Sequence, residues 1–368
     1  MILAFGEIMA RLAPPGPLRW RQALPGSVNV TWGGGEANVC ASLALLGHKA
    51  RYLTALPKTP IAESVAGTLR GLGVDCDHIL WRKEGRLGLY FVESGANQRG
   101  STVIYDRAAS AVSLAGPEEY DFAAALAGVT WLHVTGITPA ISEPACRANL
   151  ALVQQAKLVQ QAKAAGATVS CDLNFRKKLW TWRPGTAAKA LARECMGQLL
   201  PHVDLVIANE EDAADVLDIH AAGTDVSAGR IDAAAYTDVA RQITARFKSV
   251  QRVAITLRES VSADHNNWGA LLYDAREDRS YLAPLDASGE YAPYEIRDIV
   301  DRVGAGDSFG AGLLAALNTP DLSSPDRAIT FAAAASCLKH SIHGDFSYVT
   351  KDEVLALMQG NATGRVQR

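Results

Sequence analysis

No run of apolar residues in this sequence is long enough to cross a lipid bilayer. The first residues reach the acidic Glu7 before an adequate apolar run has formed, so we expect no signal peptide, no membrane partner and a cytoplasmic location. An excess of one charge is also missing, since 36 basic and 39 acidic residues leave a net charge of -3. This balance excludes a general attraction to nucleic acid and leaves room for a local basic site that binds a small anion.

Cysteine is scarce and scattered along the chain. The six cysteines show no Cys-x-x-Cys spacing, so neither a zinc site nor a disulfide framework is indicated. We expect these cysteines to be reduced and mostly buried. The composition is otherwise that of an ordinary globular protein, because 368 residues of which 48% are hydrophobic and 20% charged can form a large core.

Strand-like and helix-like stretches alternate along most of the chain. The strand-like stretches lie at residues 2–12, 52–56, 131–135, 168–172, 205–208 and 253–257. This order predicts an α/β fold, with a single domain over residues 1–368 built on a doubly wound, mostly parallel sheet flanked by helices. Ligands of such sheets bind beyond the carboxyl ends of the strands. We also expect a surface loop at residues 218–231 and a frayed end at residues 360–368.

The alternation is interrupted between residues 75 and 107. Three β-type runs, at residues 78–81, 87–93 and 102–106, follow one another there without a helix between them. They predict a small β-sheet lid, inserted at about residues 75–107, that could cover a pocket and keep water away from a reactive group. A plain extension of the edge of the main sheet fits the same pattern equally well.

A glycine-rich turn in residues 301–312 leads into a stretch with helical periodicity. Gly304 and Gly306, on either side of Ala305, allow consecutive backbone N–H groups to point at one spot. The start of a helix attracts anions, because its first N–H groups are unpaired and its dipole is positive there. Asp307 at this place could accept a proton from a hydroxyl that attacks a phosphate. Taken alone, the motif favours the simpler role of a helix cap, which is common for aspartate.

Taken together, these stretches resemble the ribokinase-like (phosphofructokinase-B) sugar kinase family. The resemblance covers nearly the whole chain and rests on two glycine-rich signatures, at residues 33–47 and 301–312. Within the family, the sequence is most similar to the 2-keto-3-deoxygluconate kinases, through the stretches at residues 33–38, 105–107, 172–176 and 256–260.

The resemblance implies a ribokinase-like fold and an ATP-dependent kinase that uses Mg²⁺. The reaction would move the γ-phosphoryl group of ATP to the C6 hydroxyl of 2-keto-3-deoxygluconate, giving the 6-phosphate and ADP. Gly304, Ala305 and Gly306 would form an anion hole for the transferred group, and Asp307 would be the base. The β lids of this family often pair between subunits, which implies a homo-oligomer.

The resemblance also assigns binding residues. Those for the sugar acid are Gly34, Tyr90, Tyr105, Arg107, Arg176, Asp307 and Asp345. Those for the nucleotide are Asn174, Arg176, Thr256, Arg258, Glu259, Gly304 and Gly306. Those for the metal are Asn209 and Asp212, where aspartate replaces the glutamate of the family's Asn-x-x-Glu motif.

Each of these assignments has a structural alternative. Arginine can grip a carboxylate or phosphate with a planar fork, but most arginines are solvated surface residues. Tyrosine is common in strands for packing reasons, and loop aspartates such as Asp345 are often turn formers. Residues 210–212 could simply be the acidic first turn of a helix.

Other functions compete with this one. Fructose, ribose or 2-keto-3-deoxygalactonate could be the acceptor. A dinucleotide-dependent oxidoreductase would carry Gly-x-Gly-x-x-Gly after its first strand, whereas this chain continues Glu7-Ile8-Met9. A non-catalytic sugar sensor would be expected to lose the base, and Asp307 is present.

Overall fold

The computed structural model describes residues 1–162, 167–209, 211–220 and 233–360. Its strands are β1 (Ile2–Phe5), β2 (Met9–Ala13), β3 (Asn29–Gly33), β4 (Ala50–Leu53), β5 (Ala55–Pro57), β6 (Leu80–Arg82), β7 (Gly88–Glu93), β8 (Thr102–Asp106), β9 (Trp131–Thr135), β10 (Thr168–Asp172), β11 (Leu205–Ala208), β12 (Arg252–Ser260), β13 (Asn266–Asp274), β14 (Arg279–Ala283) and β15 (Tyr294–Ile296). Most of the surface loop predicted at residues 218–231, and of the frayed end predicted at residues 360–368, lies outside the described residues.

The helices lie between these strands and after the last of them. They are α1 (Trp20–Ala23), α2 (Gly35–Leu45), α3 (Pro60–Gly71), α4 (Ala111–Leu114), α5 (Phe122–Ala125), α6 (Ile137–Ile141), α7 (Glu143–Ala162), α8 (Ala188–Leu199), α9 (Ala233–Arg246), α10 (Ala305–Leu317), α11 (Pro325–Lys339) and α12 (Lys351–Met358). No helix within the described ranges is long and apolar enough to span a membrane.

The main sheet has the order β14-β13-β12-β11-β10-β9-β1-β4, with β15 also pairing with β13. The strands from β4 to β12 in this order pair in parallel, and β13 to β15 pair antiparallel. Side chains alternate between the two faces of a strand. On β11, Val206 and Ala208 pack with α7, α8 and α9, whereas Leu205 and Ile207 pack with α2, α10 and α11. The predicted doubly wound, mostly parallel sheet with helices on both faces is therefore confirmed.

A separate four-stranded sheet, with the order β3-β2-β7-β8, forms the lid. The predicted small sheet is confirmed, and the alternative of an edge extension is wrong, because among the described residues these strands pair with one another and not with the main sheet. Two of its strands, β2 and β3, precede the region at residues 75–107 in which we expected the whole lid. The run at residues 78–81 is not part of it, since β6 pairs with β5 in a two-stranded sheet.

The first predicted strand, at residues 2–12, is in fact two strands in two different sheets. The chain leaves the main sheet after Phe5 and enters the lid at Met9. Gly6 lies at this junction, where an added Cβ would come within 2.1 Å of the Glu36 carboxylate. A strand pattern identifies a half-buried surface but not the neighbouring strand, which is why the sequence did not separate the two.

The lid lies over the carboxyl ends of the main sheet. Its β7–β8 loop touches the loop between β12 and β13, where the N–H of Ala263 donates to the Asn97 carbonyl at 2.7 Å. The N–H of Asn97 in turn donates to Asp264 Oδ2 at 3.1 Å. These contacts hold the tip of the lid across the end of the sheet where a ligand would bind.

Candidate active site

The turn before α10 has the geometry that the glycine signature predicts. Gly304 has φ 85° and ψ 0°, a left-handed conformation, and caps the helix. A Cβ at Gly304 would lie 2.2 Å from the carbonyl oxygen of Asp345, so both the conformation and the space require glycine. Residues 305–307 begin the helix, and their N–H groups have no partner within it.

Asp307 lies in the first turn of α10, where it is not the helix cap. The cap alternative is therefore wrong, since Gly304 occupies that position. The Asp307 carboxylate borders a cavity, and its Oδ2 accepts a hydrogen bond of 2.6 Å from Asn38 Nδ2. Burial raises the pKa of Asp307 to about 6, opposed by the Asn38 hydrogen bond and assisted by the negative charge of Asp345. Asn38 was not among the predicted site residues, although it belongs to the first glycine signature.

The cavity has a volume of about 350 Å³ and lies between the lid and the carboxyl ends of the central strands. Fifteen of the sixteen predicted site residues line it, namely Gly34, Tyr90, Tyr105, Arg107, Asn174, Arg176, Asn209, Asp212, Thr256, Arg258, Gly304, Ala305, Gly306, Asp307 and Asp345. The fold brings them into one space, because they are spread along the chain from Gly34 to Asp345.

Glu259 is the predicted residue that does not line the cavity. The strand pattern ended at residue 257, but β12 continues to Ser260 because β13 pairs with it along its whole length. Thr256 and Arg258 share the face toward the cavity, and Glu259 points to the other face. There its Oε2 accepts a hydrogen bond of 2.9 Å from Asn267 Nδ2.

The lid side of the cavity carries two tyrosines and an arginine. Tyr90 and Tyr105 are direct partners across β7 and β8, and their ring centroids lie 6.3 Å apart. The Arg107 guanidinium lies 5.5 Å from the centroid of the Tyr105 ring and forms an ion pair with the buried Glu7. Arg107 is thus not a solvated surface residue, and Glu7 is a site residue that the sequence did not indicate.

The opposite side of the cavity contains a loop after β10 and another after β11. Asp212 joins the two, because its Oδ1 accepts from the Phe175 N–H at 3.0 Å and its Oδ2 from the Asn209 N–H at 3.1 Å. Asn209 Oδ1 accepts in return from the Asp212 N–H at 2.9 Å. Arg176 is exposed at the mouth of the cavity.

These contacts decide how a metal ion would fit. Asn209 Oδ1 accepts two backbone hydrogen bonds and each carboxylate oxygen of Asp212 accepts one, so a cation held through water would leave all of these contacts in place. No cluster of three or more His, Cys, Asp or Glu side chains suited to a metal occurs in the part of the chain that the structure describes. The pKa of Asp172 is nevertheless raised by burial and then by Asp212 and Asp307. A hydrated cation would relieve this crowding of negative charge.

A second buried acid, Glu36, lies beneath the first glycine signature. Its Oε1 accepts hydrogen bonds from Thr135 at 2.7 Å and Thr138 at 2.9 Å. Burial raises the pKa of Glu36 to about 7. Glu36 connects the start of α2 to the end of β9, and its contribution to the site is to hold α2, which carries Asn38, against the main sheet.

The turn of residues 304–306, called the anion turn below, lies next to the buried Asp307 carboxylate at one cavity. A separate β sheet covers this cavity at the carboxyl ends of a doubly wound sheet, which is the arrangement expected of a carbohydrate kinase with the ribokinase-like fold. A match to the pfkB family carbohydrate kinases extends over residues 1–348, and the chain belongs to that family. The predicted family, fold and ATP-dependent kinase activity are thereby confirmed. The oxidoreductase and the non-catalytic sensor are not supported.

Several related proteins match nearly the whole chain. A 2-dehydro-3-deoxygalactonokinase of Haloferax volcanii is 31% identical over 368 residues, covering 99% of this chain and 98% of the relative. A 2-dehydro-3-deoxygluconokinase of Thermoproteus tenax is 28% identical over 348 residues, which cover 94% of this chain and 89% of the relative. The solved structure of a 2-dehydro-3-deoxygluconokinase of Thermotoga maritima superposes with a TM-score of 0.84 at 40% sequence identity. The superposition covers 98% of this chain and 99% of the Thermotoga maritima chain.

Proposed function

We propose that the protein phosphorylates the C6 hydroxyl of 2-keto-3-deoxygluconate with ATP, giving the 6-phosphate and ADP. The observation that carries this proposal is the position of Asp307, which follows the anion turn and shares one cavity with Arg107. Asp307 can take a proton from a hydroxyl, and Arg107 can bind the carboxylate of a sugar acid. The similarity to the Thermotoga maritima 2-dehydro-3-deoxygluconokinase supports the same acceptor.

In the proposed reaction the sugar acid lies beneath the lid, with its acid end toward Arg107 and its terminal hydroxyl toward Asp307. The Asp307 carboxylate accepts the hydroxyl proton while the oxygen forms a bond to the γ-phosphorus and the bond to ADP breaks. A pKa of about 6 leaves Asp307 largely ionised at pH 7 and more basic than an exposed aspartate. The Asn38 amide fixes the direction in which the carboxylate faces.

The ion pair with Glu7 supports the proposed role of Arg107 in binding the substrate carboxylate. The buried Glu7 carboxylate pairs with one edge of the guanidinium and holds it near the Tyr105 ring. An arginine has five donors in a planar fork, so the remaining N–H groups can bind a carboxylate. We propose that Gly34, Tyr90 and Asp345 complete the binding site for the sugar hydroxyls.

On the nucleotide side we propose that Asn174, Arg176, Thr256 and Arg258 contact ATP, and that the turn of residues 304–306 binds the transferred phosphoryl group. Mg²⁺ would be held by the ATP phosphates and, through water, by Asn209 and Asp212, where it would neutralise phosphate charge. Glu259 is left out, because it faces away from the cavity.

The galactonate epimer is a second candidate acceptor. The Haloferax volcanii relative, which matches almost the full length of the chain, acts on that epimer according to its name. The two epimers share the keto-deoxy acid end and the terminal hydroxyl, so Arg107 and Asp307 serve both equally. The choice depends on contacts with a single hydroxyl group.

A panel of acceptors tests the proposed substrate class. We expect kcat/KM for the two keto-deoxy acids to exceed that for fructose or ribose by about tenfold or more, because a charge-assisted hydrogen bond contributes about 1.5–3 kcal/mol. The measurement is ADP release with each sugar. Arg107→Lys, which keeps the charge opposite Glu7 but loses the fork, should lower the rate with the acids and not with the neutral sugars. Faster turnover of a neutral sugar by the wild type would refute the assignment.

We also propose that the lid pairs with a second copy of the chain. The registers of the lid sheet place Val30, Leu12, Phe91 and Ile104 in one row across its four strands, on the face opposite Tyr90 and Tyr105. Val30 is 56% exposed and Ile104 54%. An apolar row across an exposed sheet is a surface that a partner commonly covers.

Light scattering in solution tests this pairing. The wild type should have a mass at least twice that of one chain, which is 39.1 kDa. Ile104→Glu should reduce the mass to that of one chain, because a charge would be buried in the interface. Ile61→Glu on α3, at a residue that is 61% exposed, is the matched control and should leave the mass unchanged. A wild type that runs as a single chain would exclude the pairing.

A further inference from the structure

An arginine of the lid, Arg11, is buried between the lid and the anion turn. It lies on β2, an inner strand of the lid sheet, and only 1% of its surface is exposed. Its guanidinium contacts two carboxylates, with Nη1 donating to Asp345 Oδ1 at 2.9 Å and Nη2 at 2.6 Å from Asp301 Oδ2. Arg11 is therefore a side chain of the lid whose partners both belong to the catalytic end of the main body.

Asp301, the first partner, fixes the start of the anion turn. Its Oδ1 accepts from the Val303 N–H at 3.0 Å, and its Oδ2 accepts from the Gly344 N–H at 3.1 Å. Val303 directly precedes Gly304, the residue in the left-handed conformation. Any shift of the Asp301 carboxylate would therefore be passed to the anion turn through a single hydrogen bond and one peptide unit.

Asp345, the second partner, lies between the turn and the proposed sugar site. Its carbonyl oxygen packs against Gly304, where it leaves no room for a Cβ. Its carboxylate lies beside Gly33, at which an added Cβ would be 2.2 Å from Asp345 Oδ2 and 2.5 Å from the Tyr90 hydroxyl. The backbone of Asp345 thus touches the anion turn, while its side chain borders the lid and the cavity.

The charges of this cluster favour the contact between the lid and the main body. Burial raises the pKa of Asp345, and the positive charge of Arg11 acts against that rise. A second cation, Lys339, is fully buried nearby; burial lowers its pKa, while Asp301 and Asp345 act to raise it. Without Arg11 the two buried carboxylates would lose the cation that contacts both of them, which is costly. The cluster consequently favours the arrangement in which the lid is down and both contacts are made.

We propose that Arg11 is a positioning residue that couples the lid to the anion turn, so that binding of the sugar acid under the lid completes the site for the γ-phosphoryl group of ATP. This inference rests on the proposed function, because it takes the cavity beneath the lid as the sugar site. Its consequence is reciprocal: the sugar acid should tighten the binding of the nucleotide, and the nucleotide should tighten the binding of the sugar acid.

The test compares this coupling in the wild type and in Arg11→Lys. The lysine keeps one positive charge but cannot contact both carboxylates as the planar fork does. Calorimetry would give the dissociation constant of 2-keto-3-deoxygluconate with and without the non-hydrolysable analogue AMP-PNP and Mg²⁺. We expect the wild type to show a coupling factor of about 5–150 and Arg11→Lys a factor near one, with kcat lowered about tenfold or more.

Arg86→Lys is the matched control, since Arg86 pairs with Asp106 on the exposed side of the lid region. It should retain wild-type coupling and kcat. Asp301→Asn is the second variant, to be used if Arg11→Lys does not fold: it keeps the contact between Arg11 and Asp345 but removes the charge at the turn, and it should also abolish the coupling. Wild-type coupling in either folded variant, or a wild type without coupling, would overturn the proposal.

Failure of the proposed substrate gives a different result from failure of the coupling. If the wild type does not phosphorylate 2-keto-3-deoxygluconate, the proposed function is wrong, and the same calorimetry with the fastest acceptor of the panel still decides on Arg11. If it phosphorylates that acid but Arg11→Lys couples normally, the substrate stands and the positioning role is wrong.

Discussion

Asp307→Asn is expected to lower kcat by about 10²- to 10⁴-fold, the usual cost of losing a general base. The amide has nearly the same shape as the carboxylate, and its oxygen can still accept the hydrogen bond from Asn38. It cannot, however, take the proton of the attacking hydroxyl. The measurement is the rate of a single turnover with the best acceptor, together with calorimetry showing that ATP still binds.

Stability separates this effect from damage to the fold. Since burial raises the pKa of Asp307 to about 6, the folded protein holds this proton more tightly than the unfolded chain, and the resulting stability is lost as the pH rises through that value. At neutral pH the amide should therefore be at least as stable as the carboxylate. Asp326→Asn, the same change in the first turn of α11, should leave kcat unaltered. Near-normal turnover by Asp307→Asn would remove Asp307 as the base.

Gly304→Ala is expected to have the other large effect, because two independent features of the turn exclude a side chain. A left-handed backbone costs a residue other than glycine about 1–3 kcal/mol, and here φ is 85°. The new Cβ would also lie 2.2 Å from the carbonyl oxygen of Asp345, a backbone atom that cannot move freely. We expect the free energy of unfolding to fall by about 2 kcal/mol or more and kcat to fall with it as the anion turn opens.

Gly310→Ala is the matched control for this prediction. Gly310 lies in the same helix, and its added Cβ would come no closer than 3.6 Å to Ile207, an ordinary contact. Because alanine favours a helix over glycine by about 1 kcal/mol, this variant should be as stable as the wild type or more so. Chemical denaturation and initial rates measure both variants. A Gly304→Ala protein as stable and active as Gly310→Ala would show that the turn does not require glycine.

The sequence predicted where the strands and helices lie better than it predicted which strands pair with one another. The period-2 and helical patterns placed β9, β10 and β11 and the turn before α10 correctly. The same patterns assigned residues 2–12 to one strand, because alternation of apolar residues does not say which sheet a strand joins. They also ended β12 too early, since the extension to Ser260 depends on pairing with β13.

The candidate site shows the same limit at the level of side chains. The cavity-lining residues that sequence motifs indicated lie within the two glycine signatures, at the ends of central strands, in the lid and in the loop that carries Asp345. Asn38 and Arg11 were missed because their partners lie 269 and 334 residues away along the chain. Arg11 had no motif of its own: it reads as one charged residue within an otherwise apolar strand, and its importance depends on Asp301 and Asp345 coming together beside it.

The pH dependence of kcat/KM tests the central claim, that Asp307 takes the proton of the sugar hydroxyl, most directly. With a pKa of about 6 for Asp307, the wild-type value should be constant above neutrality and fall about tenfold per pH unit well below pH 6, as the carboxylate becomes protonated. The residual activity of Asp307→Asn should lack this fall, whereas a fall caused by protonation of ATP itself would persist in the variant. A wild-type profile that is flat down to pH 5, or an identical acid limb in Asp307→Asn, would contradict the claim.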